Sequence, residues 1–214
     1  SLGYRVLAVA MNDNIKKIPK KLKDNKLSFC GLIALVDPPR RGVKESIKSC
    51  YNAGIRVIMI TGDNGNTAKG IAKQIELKYN DNVITGFELE KMSDEELIEK
   101  VKNTNIFARV FPNHKMRIVN ALQKNNEVVA MTGDGVNDAP ALKKAEIGIA
   151  MGQRGTNVAK EAADMILMDD NFNTIVEAIK NGRTIYNNIK KAIAYILAIH
   201  MPIALASLFV PLFN

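Results

Sequence analysis

Val128-Val129-Ala130-Met131-Thr132-Gly133-Asp134-Gly135-Val136-Asn137-Asp138-Ala139-Pro140 is the stretch that decides how this chain is read. An apolar run of strand length meets two glycines, which allow a sharp turn. Two carboxylates and an amide then fall within five positions, and Pro140 stands where a following helix would open. In a parallel α/β sheet such a stretch is the carboxyl edge, where ligands bind. Asp134 and Asp138 offer hard oxygen ligands of the kind Mg²⁺ takes together with phosphate oxygens and water. Standing alone, the stretch reads equally well as a turn shaped by Asp134 and a helix capped by Asp138.

The flanking sequence repeats the pattern. Apolar runs at Leu27–Val36, Ile55–Ile60, Ile106–Val110, Val128–Met131, Ile147–Met151 and Met165–Met168 have strand length. Amphipathic segments at Gly42–Ala53, Thr67–Ile75, Pro112–Gln123 and Gly155–Ala163 separate them. Strands alternating with helices predict an α/β fold: a Rossmann-like, mostly parallel sheet with helices on both faces. Ser93-x-x-Glu96 is a capping box that opens an extra surface helix over Ser93–Lys102. Tyr4–Ala10 reads as a further short strand. The lysine-rich stretch after it (Lys16, Lys17, Lys20, Lys21, Lys23, Lys26) reads as a solvated connector or a patch for anionic headgroups.

Two more strand ends carry chemistry. Ile55–Ile60 runs into Thr61-Gly62-Asp63, a hydroxyl and exposed N–H groups at a strand-to-helix edge that suits an anion. Thr67 follows, read as lying just before the helix. Ile106–Phe111 leads through Pro112-Asn113-His114 to Lys115, a cation in a first helical turn, poorly placed against the dipole unless an anion sits nearby. His114 offers a general base, but is read first as a solvent-facing helix residue.

Other chemistries drop out. The chain has no G-x-x-x-x-G-K-[ST] and no H-E-x-x-H, and Gly133-x-Gly135 lacks the third glycine of a dinucleotide fingerprint. Two histidines, His114 and His200, are too few for a multi-histidine metal site. Cys30 and Cys50 have no zinc spacing and read as reduced thiols of the cytoplasm. Of 214 residues 47% are hydrophobic and 24% charged, which speaks against disorder. The net charge of +8 suits an anionic partner, but aromatics at 6% without Trp argue against a stacking platform, and no nucleic acid is expected. The chain opens on Ser1-Leu2-Gly3 without an apolar leader and reads as a piece of a longer polypeptide.

From Asn173 the pattern is helical and continues into Ala192–Asn214, a run without charge, interrupted only by His200, Pro202, Ser207, Pro211 and Asn214. About 20 such residues suffice to span a bilayer. Arg183, Lys190 and Lys191 precede the run, which would hold residues 1–191 on the cytoplasmic side. A buried core or dimerisation helix is the alternative.

Asp37-Pro38-Pro39-Arg40, Ile58–Asn64, Phe107-Ala108-Arg109-Val110 with Lys115, and Met131–Ala145 together resemble, in order and spacing, the phosphorylation domain of P-type cation-transporting ATPases, within the haloacid dehalogenase superfamily. Asp169–Val176 and Gly182–Asn188 are similar to that family's stalk before a transmembrane helix, and the branch resembled is that of the calcium and sodium–potassium pumps. The resemblance implies a haloacid dehalogenase-like fold followed by a long C-terminal helix, with Mg²⁺ and ATP as cofactors. It implies that Asp134 coordinates Mg²⁺, Asn137 contacts the phosphoryl group and Asp138 supports the site. Thr61 and Gly62 would hold phosphoryl oxygens, Asp63 would order their loop, Lys115 would neutralise phosphoryl charge, and Arg40 would help position nucleotide. The implied division is 1–36, tail of a nucleotide-binding domain; 37–188, phosphorylation domain lacking its first strand; and 189–214, stalk end and first part of a transmembrane helix.

The family's nucleophile, the Asp of Asp-Lys-Thr-Gly-Thr, is not among the 214 residues, and Asp37, followed by Pro38-Pro39, does not align with it. The expected partners are therefore the nucleophile-bearing segment, the nucleotide-binding domain and a membrane, with a transported cation in the parent protein. The competing readings are a soluble Mg²⁺-dependent phosphatase of the same superfamily and an inactive phosphate- and Mg²⁺-binding module.

Overall fold

The computed structural model describes residues 5–12, 27–35, 38–78 and 82–209. The lysine-rich stretch 16–26, Asp37 and the final residues 210–214 lie outside them. Contacts divide the chain into Ser1–Asp170 and Asn171–Asn214, each treated by itself below.

The first unit opens on a hairpin. Strand β1 (Arg5–Met11) pairs antiparallel with β2 (Ser28–Leu35), with a register shift between Val9 and Ala10. The sequence grouped Leu27–Val36 with the parallel strands; pairing it with its immediate predecessor in the opposite direction is what a direct chain return gives. Val6, Leu7, Phe29, Leu32 and Ile33 are exposed, so apolar side chains stand uncovered on both faces of the hairpin.

Helix α1 (Val43–Asn52) follows, then β3 (Met59–Ile60), α2 (Gly65–Gln74), β4 (Val83–Thr85), α3 (Gly86–Lys91), α4 (Asp94–Val101), β5 (Ile106–Ala108) and α5 (Pro112–Lys124). The next elements are β6 (Ala130–Gly133), α6 (Ala139–Lys144), β7 (Ile147–Met151), α7 (Asn157–Ala162) and β8 (Met165–Leu167). The expected sheet is parallel but comes in two pieces. One has the order β3-β5-β4 and the other β6-β7-β8, all neighbours parallel. Among the described residues β3 and β6 are therefore each paired on one side only.

Helix α5 serves both pieces. Ile118, Ala121 and Leu122 join Ile84, Leu89, Leu97, Val101 and Phe107 in one apolar cluster. Val119 joins Met131, Leu142, Ala150 and Ala159 in another. Val129, just before β6, packs against both clusters, and Ile58 and Ile60 pack against the first. Fully burying a side chain such as Phe107 contributes about 1.5–3 kcal/mol.

Local signals set the helix boundaries. Ser93 and Glu96 form the expected capping box on α4, and Thr85 with Glu88 forms another on α3. Thr67 lies inside α2, not before it: the cap is Asn64, whose Oδ1 accepts the Thr67 N–H at 3.0 Å. At the other end of α4 the Arg56 guanidinium donates to the carbonyls of Val101 and Thr104 and to Asn105 Oδ1, satisfying acceptors that a helix end leaves open.

The second unit is dominated by α8, one helix over Phe172–Phe209 with Pro202 inside it. It is long and apolar enough to cross a membrane by length and composition, and no part of its most apolar window is buried.

Gly148 in β7 is fixed by close approach: a Cβ there would lie 2.5 Å from the Leu142 carbonyl oxygen and 3.0 Å from its carbon. Gly148→Ala is expected to lower stability by about 1–3 kcal/mol in urea titrations, because backbone and not a flexible side chain must give way. Gly182→Ala, in α8 with nothing within 4 Å, should cost nothing and add up to about 1 kcal/mol of helix stability.

Candidate active site

The turn after β3 is bonded to the end of β5, and the turn after β6 is bonded to α5. The backbone of β3 continues into Thr61, whose N–H donates to the Phe107 carbonyl at 2.9 Å while its own carbonyl accepts from Val110 at 3.1 Å. The Asp63 N–H donates to Thr61 Oγ1 at 3.0 Å, and the Asp63 carbonyl accepts from Arg109 at 2.8 Å. The Thr61-Gly62-Asp63 turn is thus laced to the end of β5. Arg109 takes a left-handed φ of 51°, and Gly86 makes room for it, since a Cβ on Gly86 would lie 2.0 Å from the Arg109 carbonyl oxygen.

Past this turn α5 begins, and Lys115 closes its first turn. The Lys115 ammonium pairs with Asp138 Oδ1, answering the question its position raised: the compensating anion comes from the end of β6. The Asp138 side chain is 6% exposed and that of Lys115 22%. Asp138 Oδ2 also accepts the N–H groups of Asp134 and Gly135, at 3.2 and 3.1 Å. One carboxylate thereby fixes the turn after β6 and ties it to α5.

The glycines of this turn are not there for left-handed backbone. Neither has positive φ. Gly133 instead allows contact: a Cβ on it would sit 2.5 Å from the Asp138 Cβ. The Asp134 carbonyl accepts from Thr156 at 2.8 Å, anchoring the turn to the loop after β7. The Asp134 and Asn137 side chains are exposed, and among the described residues neither has a hydrogen-bond partner.

Direct bonds or shared turns join Thr61 with Asp63, and Lys115 with Asp134 and Asp138; the two sets are linked along the chain from the end of β5 to α5. Arg40 stands apart from them. Its guanidinium donates to the carbonyl of Asp170, a buried residue whose carboxylate accepts from Gln153 and Arg154 at 3.0 and 2.9 Å. Those backbone N–H groups hold the Asp170 carboxyl below its ordinary range. His114 departs from its expected place: the ring is fully buried, held between Glu90 and the Phe111 backbone. The only sequence signal for it was adjacency to Lys115. Asp170 was read only as part of the stretch Asp169–Val176, and its structural role was hidden because its partners lie 16 and 17 residues away.

The Asp134 carboxylate is exposed on a turn tied through Asp138 to Lys115, and such a carboxylate suits Mg²⁺, which takes one or two carboxylates and completes its shell with phosphate oxygens and water. Among the described residues no cluster of three or more His, Cys, Asp or Glu forms a cage of the kind other metals prefer.

The profile of haloacid dehalogenase-like hydrolases matches residues 5–146, and a second profile of the same description matches 116–179. The chain is 50% identical over 210 residues to the calcium-transporting ATPase of Bacillus subtilis, covering 98% of this chain and 23% of that protein. It is 47% identical over 199 residues to the human calcium-transporting ATPase type 2C member 1, covering 92% and 21%. It thus spans between a fifth and a quarter of the length of these relatives. A crystal structure of a zinc-transporting PIB-type ATPase in the E2.Pi state superposes with a TM-score of 0.70 at 30% identity, covering 98% of this chain and 28% of that one.

Lys115→Ala should cost about 2 kcal/mol of stability, as it strips a charged partner from a buried carboxylate that keeps two N–H donors. Asp134→Asn should leave the denaturation midpoint unchanged, because its side chain has no structural partner. Equal losses in the two variants would contradict this division of labour.

Proposed function

The chain belongs to the haloacid dehalogenase-like hydrolases, and we propose that it is part of the catalytic region of an ATP-driven cation pump of the P-type, contributing the Mg²⁺- and phosphoryl-binding side of an aspartyl-phosphate site. The observation that carries this reading is the Lys115–Asp138 pair, which holds an ammonium beside the turn that carries the exposed Asp134 carboxylate.

Phosphoryl transfer rests on positioning and on neutralising charge. Lys115 offsets negative charge on the transferred group, while Thr61 and the N–H groups around Gly62 take up its oxygens. Asn137, exposed at the same turn, contacts the phosphoryl group from the β6 side. Asp63 holds the Thr61 turn and Asp138 keeps Lys115 and the Asp134 backbone in place. Asp134 would hold Mg²⁺, which when bound supplies further charge neutralisation. Arg40 helps position nucleotide at the hinge toward the nucleotide-binding domain.

The nucleophilic Asp and its strand belong to the rest of the protein, and the unpaired sides of β3 and β6 suit such a strand. The membrane partner is reached through α8, with residues 1–191 on the cytoplasmic side. The named roles of the relatives make Ca²⁺ the first cation to test.

By itself, the 214-residue chain should form no phosphoenzyme with γ-labelled ATP and Mg²⁺. Adding a chain that carries Asp-Lys-Thr-Gly-Thr with the nucleotide-binding domain should restore hydroxylamine-sensitive label. In that complex Asp134→Asn should weaken Mg²⁺ binding, and Lys115→Ala should weaken retention of a phosphate analogue. Label on the isolated chain would place the nucleophile among Asp37, Asp63, Asp134 and Asp138 and overturn the reading. Deleting Ala192–Asn214 should abolish detergent binding and self-association; persistence of both would remove the membrane assignment.

A further inference from the structure

We propose that His114 is a positioning residue for Lys115, a role that rests on the phosphoryl-site reading above and adds a residue to it. The helix that carries Lys115 starts badly capped. Phe111 occupies the N-cap with no side-chain acceptor to offer, and Pro112 at N1 has no N–H. His114 supplies the missing restraint from within the first turn. Its Nδ1 accepts the Phe111 N–H at 3.3 Å, the return arm of a capping box that Glu or Gln usually provides. Its own N–H donates to the Phe111 carbonyl and to Asn113 Oδ1, each at 3.0 Å.

With Nδ1 accepting, the ring proton lies on Nε2 and donates to Glu90 Oε2 at 2.5 Å. Glu90 belongs to α3, so the imidazole bolts the first turn of α5 to a second helix. The Phe111 ring packs against it edge-on with centroids 5.5 Å apart. The ring has no exposed surface, whereas Lys115 beside it reaches out to Asp138. A lysine stem is flexible, so the position of its ammonium depends on how firmly its Cα is held. The His114 bonds fix that Cα from two sides.

The test uses the 214-residue chain labelled with ¹⁵N-lysine, the Lys115 ammonium signal being assigned by its loss in Lys115→Arg. Orthophosphate binding in the presence of Mg²⁺ is measured alongside. His114→Ala should move or broaden the Lys115 signal and weaken orthophosphate about three- to tenfold, the loss of one hydrogen bond's worth of order. Glu90→Gln, which keeps an acceptor for Nε2–H, should behave as wild type, while Glu90→Ala should move the signal in the same direction as His114→Ala. Leu97→Ala, a fully buried core change, should lower the melting temperature and leave the Lys115 signal in place.

The proposal is overturned if His114→Ala leaves both readouts at wild-type values, or if Leu97→Ala shifts the Lys115 signal as far. Should His114→Ala not fold, identical Lys115 signals in Glu90→Ala and Glu90→Gln overturn it equally. If the wild-type chain binds no orthophosphate, the phosphoryl-site reading fails, and the Lys115 signal alone decides the role of His114.

Discussion

The carboxylate of Asp138 is the point on which the two halves of the first unit depend. One oxygen takes the Lys115 ammonium from α5 and the other takes two backbone N–H groups of its own turn. An anion this deeply buried is costly unless its acceptor sites are filled, and three donors fill them. The contact is possible only because Gly133 has no Cβ. The shape of the site is therefore a by-product of satisfying one buried charge. Asp134 is left free toward solvent because Asp138 does the structural work that a turn aspartate would otherwise do.

What could be read in the sequence follows the range of the interactions. The capping boxes at Ser93 and Thr85 span three residues, and the first was legible for that reason. The strand runs were legible because parallel strands buried on both faces are continuously apolar. The TGD and DGVND turns could be recognised because a dense set of polar residues at a strand end has few structural uses. Their link is α5, whose neighbouring residues Ile118 and Val119 face different clusters.

The misses share a cause. His114 was assigned to solvent because helix periodicity at a first turn is weak, and its partner Glu90 is 24 residues upstream. Asp170 and Arg40 are 130 residues apart. The division of the sheet into two pieces could not be read from apolar runs either, since a run reports burial and not which neighbour it pairs with. Thr67 went wrong more simply: Asn64 is an equally good cap three residues earlier.

The two pieces also differ in how far the chain must travel to close them. In the pair β3–β5, Met59 meets Ile106, 47 residues on, while in β6–β7, Ala130 meets Ile147, only 17 residues on. Loop-closure entropy makes the longer closure about 0.9 kcal/mol more costly, and long-range parallel pairing is slow. Of these two closures the one within the β6–β7–β8 piece is the cheaper, although that piece follows β3 and β5 in the chain. Closure cost therefore runs against chain order, the later piece being the easier one to close.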